Sequence, residues 1–168
     1  MSIVQAEIII RKAHQEDASA IASIARQVGW YERINTETPT ETLRQVSERL
    51  AQCLHEGTHT VLVAETTTGV VSGYISVHWF PHLAHGIDGY VSELFLLPSL
   101  TGLGVGGRLL DGIKEQAAKR KCSRLLLMNR RVRESYRRSF YAKHGWEELR
   151  DAAFFTLELP QEQEEPRH

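Results

Sequence analysis

Four glycines fall within the six residues GLGVGG (Gly102, Gly104, Gly106 and Gly107), and an apolar run of helical spacing follows at once. Glycine reaches backbone conformations closed to other residues, so consecutive N–H groups can turn inward on an anion. The positive end of the helix behind them adds to the attraction. Binding of a phosphate or pyrophosphate is the chemistry such a segment suits. As G-x-G-x-x-G through Gly102, Gly104 and Gly107 it reads as a dinucleotide fingerprint, and Arg130 and Arg131, about 20 residues on, could take a 2′-phosphate. Three features oppose that reading. Pro98-Ser99-Leu100-Thr101 separates the glycines from the strand before them, roughly 100 residues precede a motif that normally opens its domain, and about 60 remain, too few for the rest of a doubly wound fold. A P-loop is excluded sooner, since Gly107 is followed by Arg-Leu rather than Lys-Ser/Thr.

Other reactive side chains point elsewhere less firmly. His78, His82 and His85 cluster in HWFPHLAHG without the i, i+4 spacing of a helical metal site, and no cysteine stands near them. Cys53 and Cys122 are far apart and outside any C-x-x-C, which suits a reducing compartment, and neither has an activating histidine at a recognisable spacing. A formal charge of -1, with 42% hydrophobic and 24% charged residues, describes a soluble globular chain with no electrostatic footprint for nucleic acid or an anionic membrane. The first residues, MSIVQAEIIIRKAH, lack a basic leader and a small-residue cleavage site, so the expectation is a cytoplasmic protein.

The glycine turn must be held by the elements around it. EIIIRKA (7–13) reads as a strand, and Asp17 as the cap of a helix through Ile21, Ile24, Ala25 and Val28. After a break at GWYERINTE, Thr38-Pro39-Thr40-Glu41 has the form of a capping box with proline at the first helical position. HTVLVAETTTGVVSGYISVHWF (59–80) predicts two strands joined near Thr67-Thr68-Gly69, and DGYVSELFLLP (88–98) a further strand. A helix from Gly104 to about Lys121, a buried strand RLLLM (124–128), one helix over 134–145 and two closing strands, 146–149 and 153–159, complete the chain. The predicted order is β-α-α-β-β-β-α-β-α-β-β in a single α/β domain over residues 1–159, with a polar tail at 160–168.

With that order in place, LFLLPSLTGLGVGGRLL resembles the acyl-CoA signature of the GNAT family of N-acetyltransferases, (Arg/Gln)-x-x-Gly-x-(Gly/Ala), which falls on Thr101-Gly102-Leu103-Gly104-Val105-Gly106. SFYAKHGWEE is similar to the family's Phe-Tyr-x-x-x-Gly-Phe block, with Trp146 in the last place. Thr101 departs from the pattern where arginine or glutamine is usual, as does Glu134 where asparagine or arginine is common.

The resemblance implies a central mixed, mostly antiparallel twisted sheet flanked by helices, with acetyl-CoA as co-substrate and no metal. The implied acceptor is a primary amine of a small molecule or peptide, and a homodimer is the family-level expectation. It implies that Thr101, Gly102, Leu103, Gly104, Val105, Gly106 and Gly107 cradle the pyrophosphate, and that the strand before them splays from its neighbour so that backbone groups of Phe95 and Leu96 meet the pantetheine arm. Glu93 on that strand is implied as the base that deprotonates the amine, with apolar Val91, Phe95 and Leu97 at period-2 positions to raise its pKa. Tyr141 is implied as the acid for the leaving thiolate. Trp30 and Tyr31 lie in a break that covers the acceptor pocket in the family. Two readings of other classes stay open: a non-catalytic acyl-CoA-binding or regulatory module, and an NADP-binding oxidoreductase.

Overall fold

The computed structural model describes residues 7–160. The chain divides into two compact units, one running to Arg130 and the other from Arg131 onward. The first unit is built on a five-stranded sheet in the order β1-β2-β3-β4-β5, formed by Ile8–Lys12, His59–Thr66, Val71–His82, Gly86–Leu96 and Arg124–Leu127. Neighbours among the first four are antiparallel and β5 joins β4 in parallel, so the sheet is mixed and mostly antiparallel as the resemblance implies.

Side chains alternate across the sheet and fill two layers. On one face α1 (Ala18–Val28) and α3 (Pro39–Glu56) cover Val61, Val63, Tyr74 and Phe95, with Ile21, Ile24 and Leu50 completing that core. On the other face α4 (Val105–Lys119) lays Leu109, Leu110 and Ile113 over Leu62, Ile75 and Val77, all buried. The α4 backbone comes so near the sheet that a Cβ on Gly112 would stand 2.8 Å from Leu62 Cδ1. Among the described residues no helix is long and apolar enough to cross a membrane.

Local signals explain most boundaries. Thr38 accepts from the Glu41 N–H at 3.2 Å with Pro39 at the first position, as the capping pattern predicts, although the Glu41 carboxylate turns to Arg44 instead of closing the box. Asp17 does not cap α1. It ends a short 3-10 turn, takes the His14 N–H at 2.7 Å and pairs with Arg11, which also holds Glu65. The break at residues 29–37 contains a short helix, α2 (Glu32–Thr36).

The second unit differs most from expectation. The predicted helix at 134–145 is two short ones, α5 (Glu134–Arg137) and α6 (Phe140–Lys143), separated at Ser139, whose φ of 54° breaks the helical ladder. Neither closing strand forms: residues 146–160 contain no strand, and Phe154, Phe155, Leu157 and Leu159 stand exposed. Alternating apolar residues record a capacity for a strand that is realised only through pairing, and among the described residues none of the five sheet strands pairs with that stretch.

Candidate active site

The glycine segment opens α4. Pro98–Leu100 make one 3-10 turn, after which Gly102 and Gly104 take φ of 83° and 77°, values that cost a side-chain-bearing residue dearly. Gly104 is the helix N-cap and has no side chain with which to cap. Thr101 and Leu103 spend their N–H groups inside the turn, on Pro98 and Leu100, whereas those of Gly102, Gly104, Val105, Gly106 and Gly107 make no backbone bond there. The first helical N–H groups have no partner within a helix, and here no other backbone group among the described residues takes them. The donors are therefore grouped at the positive end of a 15-residue helix, where an anion is stabilised. The Thr101 hydroxyl remains as its polar contribution.

Strand β4 leads into this turn with one edge open. Its parallel pairing with β5 stops at Val91↔Leu127, so residues 92–96 have β3 on one side and, among the described residues, no strand on the other. Leu97 donates to Ser72 on the β3 side at 2.8 Å. Backbone direction alternates, so Phe95 also turns its N–H and C=O to β3, and Leu94 and Leu96 present theirs to the open edge. Of the two backbone contacts expected from sequence, Leu96 has the required direction and Phe95 does not. The Phe95 ring is instead a buried hub.

A β-bulge decides where Glu93 faces. Ser76 opposes Glu93 and Val77 opposes Val91, leaving Ser92 as the extra residue. Val91 thereby shares the α4 face with Val77, while Glu93 shares the α1 and α3 face with Phe95 and Tyr74. The expected apolar neighbour Val91 is on the wrong side, and the surroundings of Glu93 are aromatic. Tyr31 donates its hydroxyl to Glu93 Oε1 at 3.1 Å, and the Tyr74 hydroxyl is near enough to favour the charged form of the same carboxylate. Burial pushes the Glu93 pKa above the ordinary carboxylate value, against the opposing pull of these two hydroxyls and of Arg49 on α3. A carboxylate so placed is a proton acceptor moved toward neutral pH. Tyr74 carries no signal in the sequence for this role, because the bulge and a partner strand are both needed to aim it.

In the second unit Tyr141 lies on α6, its ring edge-on to Phe140 (5.0 Å) and to Trp146 (6.1 Å). Burial pushes its hydroxyl up to about 12, so it is protonated at neutral pH and able to donate. Arg131 and Tyr136 both bind Glu148, so the Arg131 guanidinium is already paired with a carboxylate. The histidines have ordinary partners: His78 bonds Ser92 at 2.9 Å, and His82 joins Arg124 on the fully buried Asp88. The thiol of Cys53 is pushed up by burial first and by nearby acidic charge, which makes it a weak nucleophile.

A family model described as the acetyltransferase (GNAT) family matches residues 27–146. No curated protein matches the sequence. Among solved structures the fold is similar to a transcriptional regulator from Bacillus halodurans C-125 (TM-score 0.75, 18% identity, covering 90% of this chain and 100% of that one). It is also similar to a predicted acetyltransferase with acetyl-CoA from Clostridium acetobutylicum (TM-score 0.67, 17% identity, 89% and 96% covered). A third likeness is to an aminoglycoside acetyltransferase from an uncultured soil metagenomic sample (TM-score 0.69, 17% identity, 90% and 97% covered).

Proposed function

The chain belongs to the acetyltransferase (GNAT) family, and on that premise we propose that it moves an acetyl group from acetyl-CoA to a primary amine of a small molecule or peptide by direct attack in a ternary complex. The observation that carries this reading is the continuity of β4: its open edge at Leu94 and Leu96 runs straight into the uncapped N-terminus of α4, while Glu93 faces the aromatic side of the same strand. Gly102, Gly104, Val105, Gly106 and Gly107 fit a pyrophosphate, and Leu96 fits the amides of an extended arm.

Acetyl-CoA supplies the acetyl group as a thioester. Glu93 takes the proton from the acceptor ammonium, directly or through water, and the freed nitrogen forms the N–C bond as the C–S bond breaks. The thiolate receives a proton from Tyr141, and the second proton that the nitrogen sheds on becoming an amide passes through water to the tyrosinate and restores it. A half-buried, acid-flanked Cys53 supports transfer without an acyl-enzyme. Within this reading residues 1–159 are the catalytic domain and 160–168 a tail, and the enzyme works in the cytoplasm as a homodimer, which light scattering checks.

The test is a thermal melt with acetyl-CoA or NADPH, followed by a thiol-release assay across a panel of amines. A ligand at about 100 times its Kd adds ~2.7 kcal/mol, a shift of several degrees. Stabilisation by acetyl-CoA alone together with thiol release supports the proposal. Stabilisation without transfer to any amine would favour the binding module, and stabilisation by NADPH alone the oxidoreductase.

A further inference from the structure

Glu93 sits behind a lip of aromatic rings. Phe95, two residues along β4 on the same face, is met edge-on by Trp30 at 4.9 Å, Tyr31 at 6.0 Å and Tyr74 at 5.7 Å. Phe95 and Tyr74 are buried, but Trp30 and Tyr31 remain 44% and 40% exposed. Two large rings are thus held at the surface by a buried third, beside a carboxylate that accepts from the Tyr31 hydroxyl and, among the described residues, forms no ion pair.

This arrangement constrains what can bind. An ammonium is drawn both to the carboxylate and to the electron-rich faces of tryptophan and tyrosine. The rest of the molecule then lies on Trp30 and Tyr31, where a flat apolar body displaces water from apolar surface and a polyhydroxylated one gains little. A second ammonium finds poor support beside Glu93: the charge that reaches Glu93 from α3 is the cation of Arg49, and Glu56 on the same helix acts on Cys53, one turn before it.

We propose that the acceptor is a primary monoamine carried on a flat apolar or aromatic body, its ammonium paired with Glu93 and its body against Trp30 and Tyr31. The inference rests on Glu93 being the acceptor-side base and narrows that reading to a substrate class.

The experiment compares 2-phenylethylamine, ethylamine and kanamycin as acceptors for the wild type, Trp30→Ala and Trp30→Phe. It adds calorimetric binding of 2-phenylethylamine to the CoA-loaded protein, and a melt with acetyl-CoA confirms that each variant folds. We expect kcat/KM for 2-phenylethylamine about tenfold or more above that for the other two amines. Trp30→Ala raises its KM about tenfold and the KM for ethylamine by no more than about threefold, since ethylamine loses the attraction of its ammonium to the ring but no body contact, and Trp30→Phe restores most of the loss. Kanamycin turned over as well as 2-phenylethylamine, or a Trp30→Ala effect equal on both small amines, overturns the inference while acetyl transfer itself stands. If no amine is acetylated the transferase reading fails, and calorimetry then decides separately: binding of 2-phenylethylamine that Trp30→Ala abolishes upholds the site, and no binding to the wild type overturns it.

Discussion

Replacing Glu93 by Gln separates chemistry from architecture at this site. The glutamine carbonyl can still accept the Tyr31 hydroxyl now 3.1 Å from Oε1, so the aromatic cluster on Phe95 keeps its geometry and only the charge and the proton-accepting capacity are lost. Removal of a general base lowers the rate by about 100-fold or more, equivalent to ~2.7 kcal/mol of transition-state stabilisation. Stability should move the other way. Burial raises the Glu93 pKa, so between its ordinary value and its raised folded value the native state holds more protons than the unfolded chain, and stability falls as pH rises through that window. The variant has no such loss and should melt at the same temperature as the wild type in acid and at the same or a higher temperature near pH 7. Thiol release measured from pH 5 to 9 should also place the acid limb of wild-type kcat/KM above the ordinary carboxylate range. A variant within about threefold of wild-type kcat/KM, with the acid limb unmoved, would refute the assignment of Glu93 as base.

Two further substitutions test the scaffold. Asp17→Ala removes a nearly buried carboxylate that holds Arg11 at 2.8 Å and the His14 N–H, and should cost about 3 kcal/mol in urea denaturation, the low end for a buried pair because Arg11 keeps Glu65. Arg11 holds the Asp17 carboxyl below its ordinary range, so this contribution is present above that range and lost as pH falls through the lowered value; the gap between wild type and variant should close in acid. Gly104→Ala has open space around the added methyl, leaving only the cost of a left-handed φ of 77°. That is about 1–2 kcal/mol, a few degrees in Tm, with a smaller stabilising shift from acetyl-CoA than the wild type shows.

Local chemistry made much of this protein legible in one dimension. The Thr38 cap with Pro39, the hairpin around Gly69 and the glycine turn into α4 each depend on residues a few positions apart, and each forms where its residue types say it must. Helical periodicity likewise set α1, α3 and α4 on the faces they cover. What the chain alone could not determine depends on pairing between distant segments. The bulge at Ser92 exists only against β3, and it reversed the expected neighbourhood of Glu93 by moving Val91 to the other face. The end of the β4–β5 ladder at Val91 left the backbone groups of Leu96, and not those of Phe95, facing an open edge, because only alternate residues look that way. Tyr31 reaches Glu93 across 62 residues of sequence, and Tyr74 reaches it from the neighbouring strand. The closing strands failed for the same reason: alternation in residues 153–159 records a capacity for pairing, and a strand forms only where another backbone answers it. Residue type and short spacing fixed which groups could bind an anion or take a proton, and the register of the sheet decided which of them look at one another.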